Sequence, residues 1–90
     1  MAMAEKIRTV LETAFAPTHL EVVDDSAKHA GHAGARAGGE SHFTVRIVTE
    51  KFVGLSGVAR HRAVYAVLQP MFDAGLHALA IDAKAPSEVS

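Results

Sequence analysis

Between residues 41 and 49 the chain alternates without a break: Phe43, Val45 and Ile47 fall on one side, and His42, Thr44 and Arg46 on the other. A period of two belongs to an extended strand, because successive side chains leave a pleated backbone on opposite faces. One face of such a strand must be covered while the other can meet water, so the chain has to build a sheet with a lid. A candidate lid precedes it. Residues 4 to 15 space Ile7, Val10, Leu11, Ala14 and Phe15 three and four apart, with Glu5, Thr9, Glu12 and Thr13 opposite. That is one face of a helix. Pro17 disfavours helical geometry at Ala16, so the helix is expected to stop near Phe15.

Residues 19 to 25 carry Leu20, Val22 and Val23 and end in Asp24-Asp25-Ser26, a short strand followed by a turn signal. Residues 26 to 40 hold four glycines and no large apolar side chain. This loop is longer than a hairpin needs, and structureless loops beyond roughly 12–15 residues tend to be functional or disordered. It is expected to be the most mobile internal segment, since little burial offsets the entropy of ordering it.

After a turn at Phe52-Val53-Gly54, Ser56 is a plausible N-cap for a long helix. Its wheel groups Val58, His61, Val64, Tyr65, Leu68, Met71 and Phe72, with Arg62, Gln69 and Asp73 opposite. Pro70 removes a helical hydrogen bond and crowds the carbonyl four residues earlier, which predicts a kink or a separate last turn. Gly75 suits a C-terminal cap. Residues 77 to 83 read as a third strand with His77, Leu79 and Ile81 on one side.

The order is αββαβ, an α+β fold. The loop joins two antiparallel strands, and a helical crossover, expected to be right-handed, leaves the second and third parallel. A three-stranded mixed sheet then carries its helices on one face, an arrangement that suits the KH-like type II folds. The predicted organisation is a single domain over 1–90, with a core at about 4–86, the flexible loop at 26–40 and a short tail at 87–90.

No cysteine is present, so disulfides and thiolate metal sites cannot come from this chain alone. A formal net charge of −1 gives no broad attraction to nucleic acid or acidic lipid. The N-terminus lacks the apolar run of a signal peptide, and no stretch approaches a membrane span. A cytoplasmic location without membrane contact is the expectation. No Ser-His-Asp order, phosphate loop with lysine or paired carboxylate cleft points to an enzyme. Asp24 and Asp25 are neighbours on a strand, where their side chains diverge.

Several segments together resemble the BolA family. They are His29-Ala30-Gly31-His32, Gly39-Glu40-Ser41-His42-Phe43, Phe52-Val53-Gly54-Leu55-Ser56, Arg60-His61-Arg62-Ala63-Val64-Tyr65 and Leu76-His77-Ala78-Leu79, over roughly residues 5 to 86. The resemblance implies an αββαβ fold with an extra short helical turn before the long helix. It implies a monothiol glutaredoxin partner and a role in iron–sulfur cluster trafficking or assembly, or in iron-dependent regulation. The [2Fe–2S] cluster would be shared with glutaredoxin and glutathione. No cofactor is expected in the isolated protein, which would be a monomer or weak homodimer. The family's ligand position just before the third strand is His77 here. A second ligand lies in the loop, where His29 matches best and His32 competes. Pro70, and the absence of a tryptophan near the C-terminus, depart from the family pattern.

Three further histidines have plainer readings. His61 lies on the apolar side of the long helix, as a core or boundary residue. His42 shares the face of Thr44 and Arg46 and is expected at the surface. His19 opens a strand. A second functional reading rests on Gly54-Leu55-Ser56-Gly57, literally a GxxG loop ahead of a helix, as KH domains use to clamp nucleotide backbone. With Lys51, Arg60 and Arg62 nearby, it would make the chain a DNA-binding transcriptional regulator, as some bacterial members of the family are described.

Overall fold

The computed structural model describes residues 2–25 and 42–89. The predicted mobile loop, with His29 and His32, lies outside the described residues.

Helix α1 spans Met3–Phe15 and buries Met3, Ile7, Leu11 and Phe15, one side chain per turn. It ends where expected: Ala16 takes a left-handed conformation (φ 45°) and donates its N–H to the Glu12 carbonyl. Strand β1 (His19–Asp24) pairs antiparallel with β2 (His42–Val48), and β2 pairs parallel with β3 (Ala78–Lys84). The sheet order is β1-β2-β3, so the strand with the cleanest alternation is the central one. Helix α1 packs on β1, the following helix packs on β3, and the two helices touch.

The core lies between the helices and the sheet face that carries Phe43, Val45 and Ile47. A short 3₁₀ turn at Glu50–Phe52, the extra turn implied by the resemblance, drops Phe52 into that core with no exposure. Its ring sits 5.3 Å from that of Phe15. Thr49 starts the turn, donating its hydroxyl to the Phe15 carbonyl at 2.7 Å and accepting from the Lys51 N–H at 3.2 Å. Gly54 then needs a positive φ of 81°, a conformation that glycine adopts without steric cost.

Helix α2 spans Gly57–Val67, and Ser56 caps it by accepting from the Ala59 N–H at 3.1 Å. The break predicted at Pro70 is present. Leu68 leaves helical geometry (φ −95°, ψ 5°), and a separate helix α3 runs Gln69–Asp73 with Pro70 in its first turn. Proline costs nothing there, since no N–H is required of it. Gly75 closes α3 with a positive φ, while the N–H of Leu76 bonds the Met71 carbonyl and that of Gly75 bonds Phe72. That pair of bonds is a Schellman cap.

The buried stripe of α2 differs from the wheel drawn through one continuous helix. Val64 and Leu68 are fully buried, with Ala63, Val67, Met71 and Phe72 packed partly against the core. Val58 is 61% exposed, Tyr65 is 40% exposed and His61 is exposed. Val58 stands six residues from Val64 in the same helix, about 120° of turn away, so it falls outside the strip that Val64 and Leu68 bury. The short tail expected at 87–90 begins in local structure. Pro86–Glu88 forms a 3₁₀ turn, and Ala85 is buried beside it. Among the described residues no helix is long and apolar enough to cross a membrane.

Candidate functional site

The parallel pairing of β2 with β3 sets His42 opposite Ala78, and His77 immediately precedes that strand. The two imidazoles therefore meet at one end of the sheet, with ring centroids 5.2 Å apart and planes tilted by 59°. His77 is exposed, whereas His42 is only 9% exposed. The expectation of a surface His42 is thus corrected. Alternation placed it on the face away from the helices, but at the strand end that face is enclosed, and the His77 ring is one of the groups against it. Asp25 completes this end of the sheet. Its N–H donates to the His42 carbonyl at 2.8 Å, and its carboxylate accepts from the Thr44 hydroxyl. Asp25, His42, Thr44, Ala78 and Ala80 line a shallow depression of about 250 Å³. Asp25 and His42 are also the described residues nearest the two ends of the segment that carries His29 and His32.

His77 is fixed from both sides by its own chain. Upstream, Leu76 is buried and tied to α3 through the cap described above. Downstream, the Leu79 carbonyl accepts from the Tyr65 hydroxyl at 3.0 Å, and Tyr65 stacks on Phe72 with centroids 5.3 Å apart.

The Arg60–Tyr65 run as a whole is directed at the outer edge of β3. Arg60 donates to the Ala83 carbonyl at 3.1 Å, a nitrogen of His61 lies 3.4 Å from the Ile81 carbonyl, and Tyr65 takes Leu79. Carbonyls two residues apart along an edge strand face outward together, and unpaired outward groups invite another strand. These side chains cover them. His61, expected in the core or at its boundary, instead projects from the exposed side of α2, one turn on from its start, with Nδ1 2.9 Å from the Gly57 carbonyl.

Arg60 has further commitments. It donates to the Leu55 carbonyl at 3.0 Å and forms a two-point pair with Glu88, at 2.6 and 3.0 Å. Its guanidinium carbon also stands 5.9 Å from the centre of the Phe52 ring. Lys51 donates to the Ala14 carbonyl at 3.1 Å. Arg62 is exposed. Gly57 is the first residue of α2, and a Cβ there would meet nothing within 4 Å. The GxxG loop therefore has a backbone reason for Gly54 only, and its neighbouring Arg60 is engaged within the fold.

The Arg60 hydrogen bond, then that from the Ala85 N–H, hold the Glu88 carboxyl down at about 2. A carboxyl lowered in the folded state adds stability above its ordinary value near 4.5, and that stability disappears as pH falls towards about 2. Glu88→Gln is accordingly expected to lower Tm at pH 7, with the gap to the parent narrowing between pH 4.5 and pH 2. The gap should be modest, because the Glu88 side chain is 44% exposed and solvent screens the pair. Thermal unfolding across that pH series measures it.

The family model described as BolA-like protein matches residues 11–88, and the chain belongs to the BolA family. It is 51% identical to an uncharacterized protein in the cobS 5′ region of a Sinorhizobium species, over 98% of this chain and 96% of that one. It is 41% identical to the DNA-binding transcriptional regulator BolA of Escherichia coli, over 90% of this chain and 73% of the relative. Some relatives are longer: the chain matches only 24% of the SufE-like protein 1, chloroplastic/mitochondrial, of Arabidopsis thaliana. The solved BolA domain of SufE1 from that plant superposes with a TM-score of 0.89 at 47% identity, covering 99% of this chain and 98% of the domain.

Proposed function

We propose that this BolA-family chain binds a monothiol glutaredoxin and takes one side of a [2Fe–2S] cluster, with His77 as its fixed ligand. The carrying observation is an exposed imidazole at a braced strand end, beside the strand termini that bracket the His29–His32 segment. Neutral imidazole nitrogen is an established donor to cluster iron, replacing cysteine on one iron of Rieske centres. Among the described residues no three His, Cys, Asp or Glu side chains converge as a metal site. The remaining ligands in this reading come from His29 or His32 and from the partner with its glutathione.

The cluster is cargo here, received from or passed to the partner, in trafficking, assembly or iron-dependent regulation, and the cytoplasm is the proposed location. His77 supplies a nitrogen donor at a set position. The glycine-rich segment supplies a second donor, since His29 lies four positions beyond Asp25, a reach of at most about 14 Å. Co-purification from a native extract, with absorption and circular dichroism spectra of what is retained, tests this reading. A glutaredoxin carrying a cluster whose spectrum differs from its homodimer is the expected result, and a chain that retains neither contradicts it.

A second reading, DNA binding, is suggested by the name of the E. coli relative. Its basic residues would be Lys51, Arg60 and Arg62 around the Gly54–Gly57 loop. The engagement of Arg60 by Glu88 and of Lys51 by Ala14 counts against a strong phosphate interface. Fluorescence anisotropy with duplex DNA at two salt concentrations decides it, because phosphate contacts make affinity fall steeply with salt.

A further inference from the structure

We infer that His42 is a positioning residue for His77, acting through ring packing rather than as a donor to iron. The inference rests on the cluster-sharing reading above and deepens it.

An exposed histidine just ahead of a strand has two free side-chain torsions, and fixing them on binding costs conformational entropy. A ligand already held in its binding orientation avoids that cost, and a packed neighbour is the usual means of holding it. The structure puts such a neighbour beside His77. His42 belongs to the central strand, paired on both sides, and its own carbonyl accepts from Asp25 at 2.8 Å. Its ring is nearly buried and stands 5.2 Å from the His77 ring at a 59° tilt. Tilted ring contacts at this spacing are favourable. The two rings are unequal in access: one is exposed and able to reach a partner, the other is enclosed and backed by the sheet. That asymmetry suits a wall and a ligand better than two ligands.

The placement also bears on an irregularity. His42 stands on the sheet face away from the helices, where Arg46 two pairs along is exposed, yet it is buried at the strand end. The contact with the His77 ring is part of what encloses it there.

Three variants test the inference in complex with a cluster-loaded monothiol glutaredoxin: His42→Ala, His42→Phe and His77→Ala. Half-life of the heterodimer-specific circular dichroism signal under a chelator is the readout, with thermal unfolding as the check on folding. His42→Ala is expected to fold and to shorten the half-life several-fold. His42→Phe, which keeps a ring but has no nitrogen, is expected to restore most of it. If His42→Phe is as defective as His42→Ala while both remain folded, His42 acts through its nitrogen and the positioning role is wrong. If both match the parent while His77→Ala loses the signal, the positioning role fails and the cluster reading stands. If His77→Ala also keeps the parent signal, the cluster reading itself is overturned, and the positioning role with it.

Discussion

Replacing Leu68 with alanine is expected to cost about 2–5 kcal/mol of folding stability, the usual range for truncating a fully buried leucine. Leu68 has no exposure and sits where α2 ends and α3 begins. Its carbonyl accepts from both Met71 and Phe72, so the backbone there is tied to the following turn. The core it belongs to is built from α1, α2 and the sheet, and such elements close only partly on a space left behind. Small domains are stable by only about 5–15 kcal/mol, so the loss takes a large share of the total. Urea unfolding of the variant measures it. A loss below about 0.5 kcal/mol would mean that Leu68 is not a core residue.

His77→Ala is expected to have the largest effect on function and little effect on the fold. The side chain is exposed, and surface truncations usually change stability by no more than about 0.5 kcal/mol. A monothiol glutaredoxin that leaves its symmetric cluster dimer for this chain must find replacement ligation, and the chain has no thiolate to offer. Without His77 the heterodimer-specific absorption and circular dichroism bands should be absent at concentrations where the parent forms them fully. His29→Ala and His32→Ala should differ from each other, one close to neutral, because only one is required as the second donor. A folded His77→Ala protein that gives the parental spectrum would show the ligand assignment to be wrong.

Periodicity made most of the fold legible. The strict alternation at Phe43, Val45 and Ile47 gave the central strand, and the spacing from Ile7 to Phe15 gave α1, because both patterns reflect burial on one side of a regular element. Pro70 announced the helix break for a covalent reason, its missing N–H. Residues buried outside regular elements carried no such signal. Phe52, Thr49 and Leu76 belong to turns, where no period repeats, and their burial follows from tertiary closure. Val58 and His61 were misplaced because the wheel took in the whole apolar side of the helix, whereas only the strip around Val64 and Leu68 meets the core.

The candidate site was legible at His77 only through its family context. The His42–His77 pair was hidden, since the two histidines are 35 positions apart and meet only through the parallel register of β2 with β3. The role of Arg60 was equally hidden. Its partners, Leu55, Ala83 and Glu88, come from three segments, one of them read as a tail.

Nitrogen hyperfine couplings on the one-electron-reduced cluster, measured by pulsed electron paramagnetic resonance on the heterodimer, test the central claim most directly. With histidine labelled by ¹⁵N in this chain alone, the account predicts strong imidazole couplings that change with the label. A cluster whose nitrogen couplings do not respond to labelling this chain would be held by the partner's ligands alone, and would contradict the account.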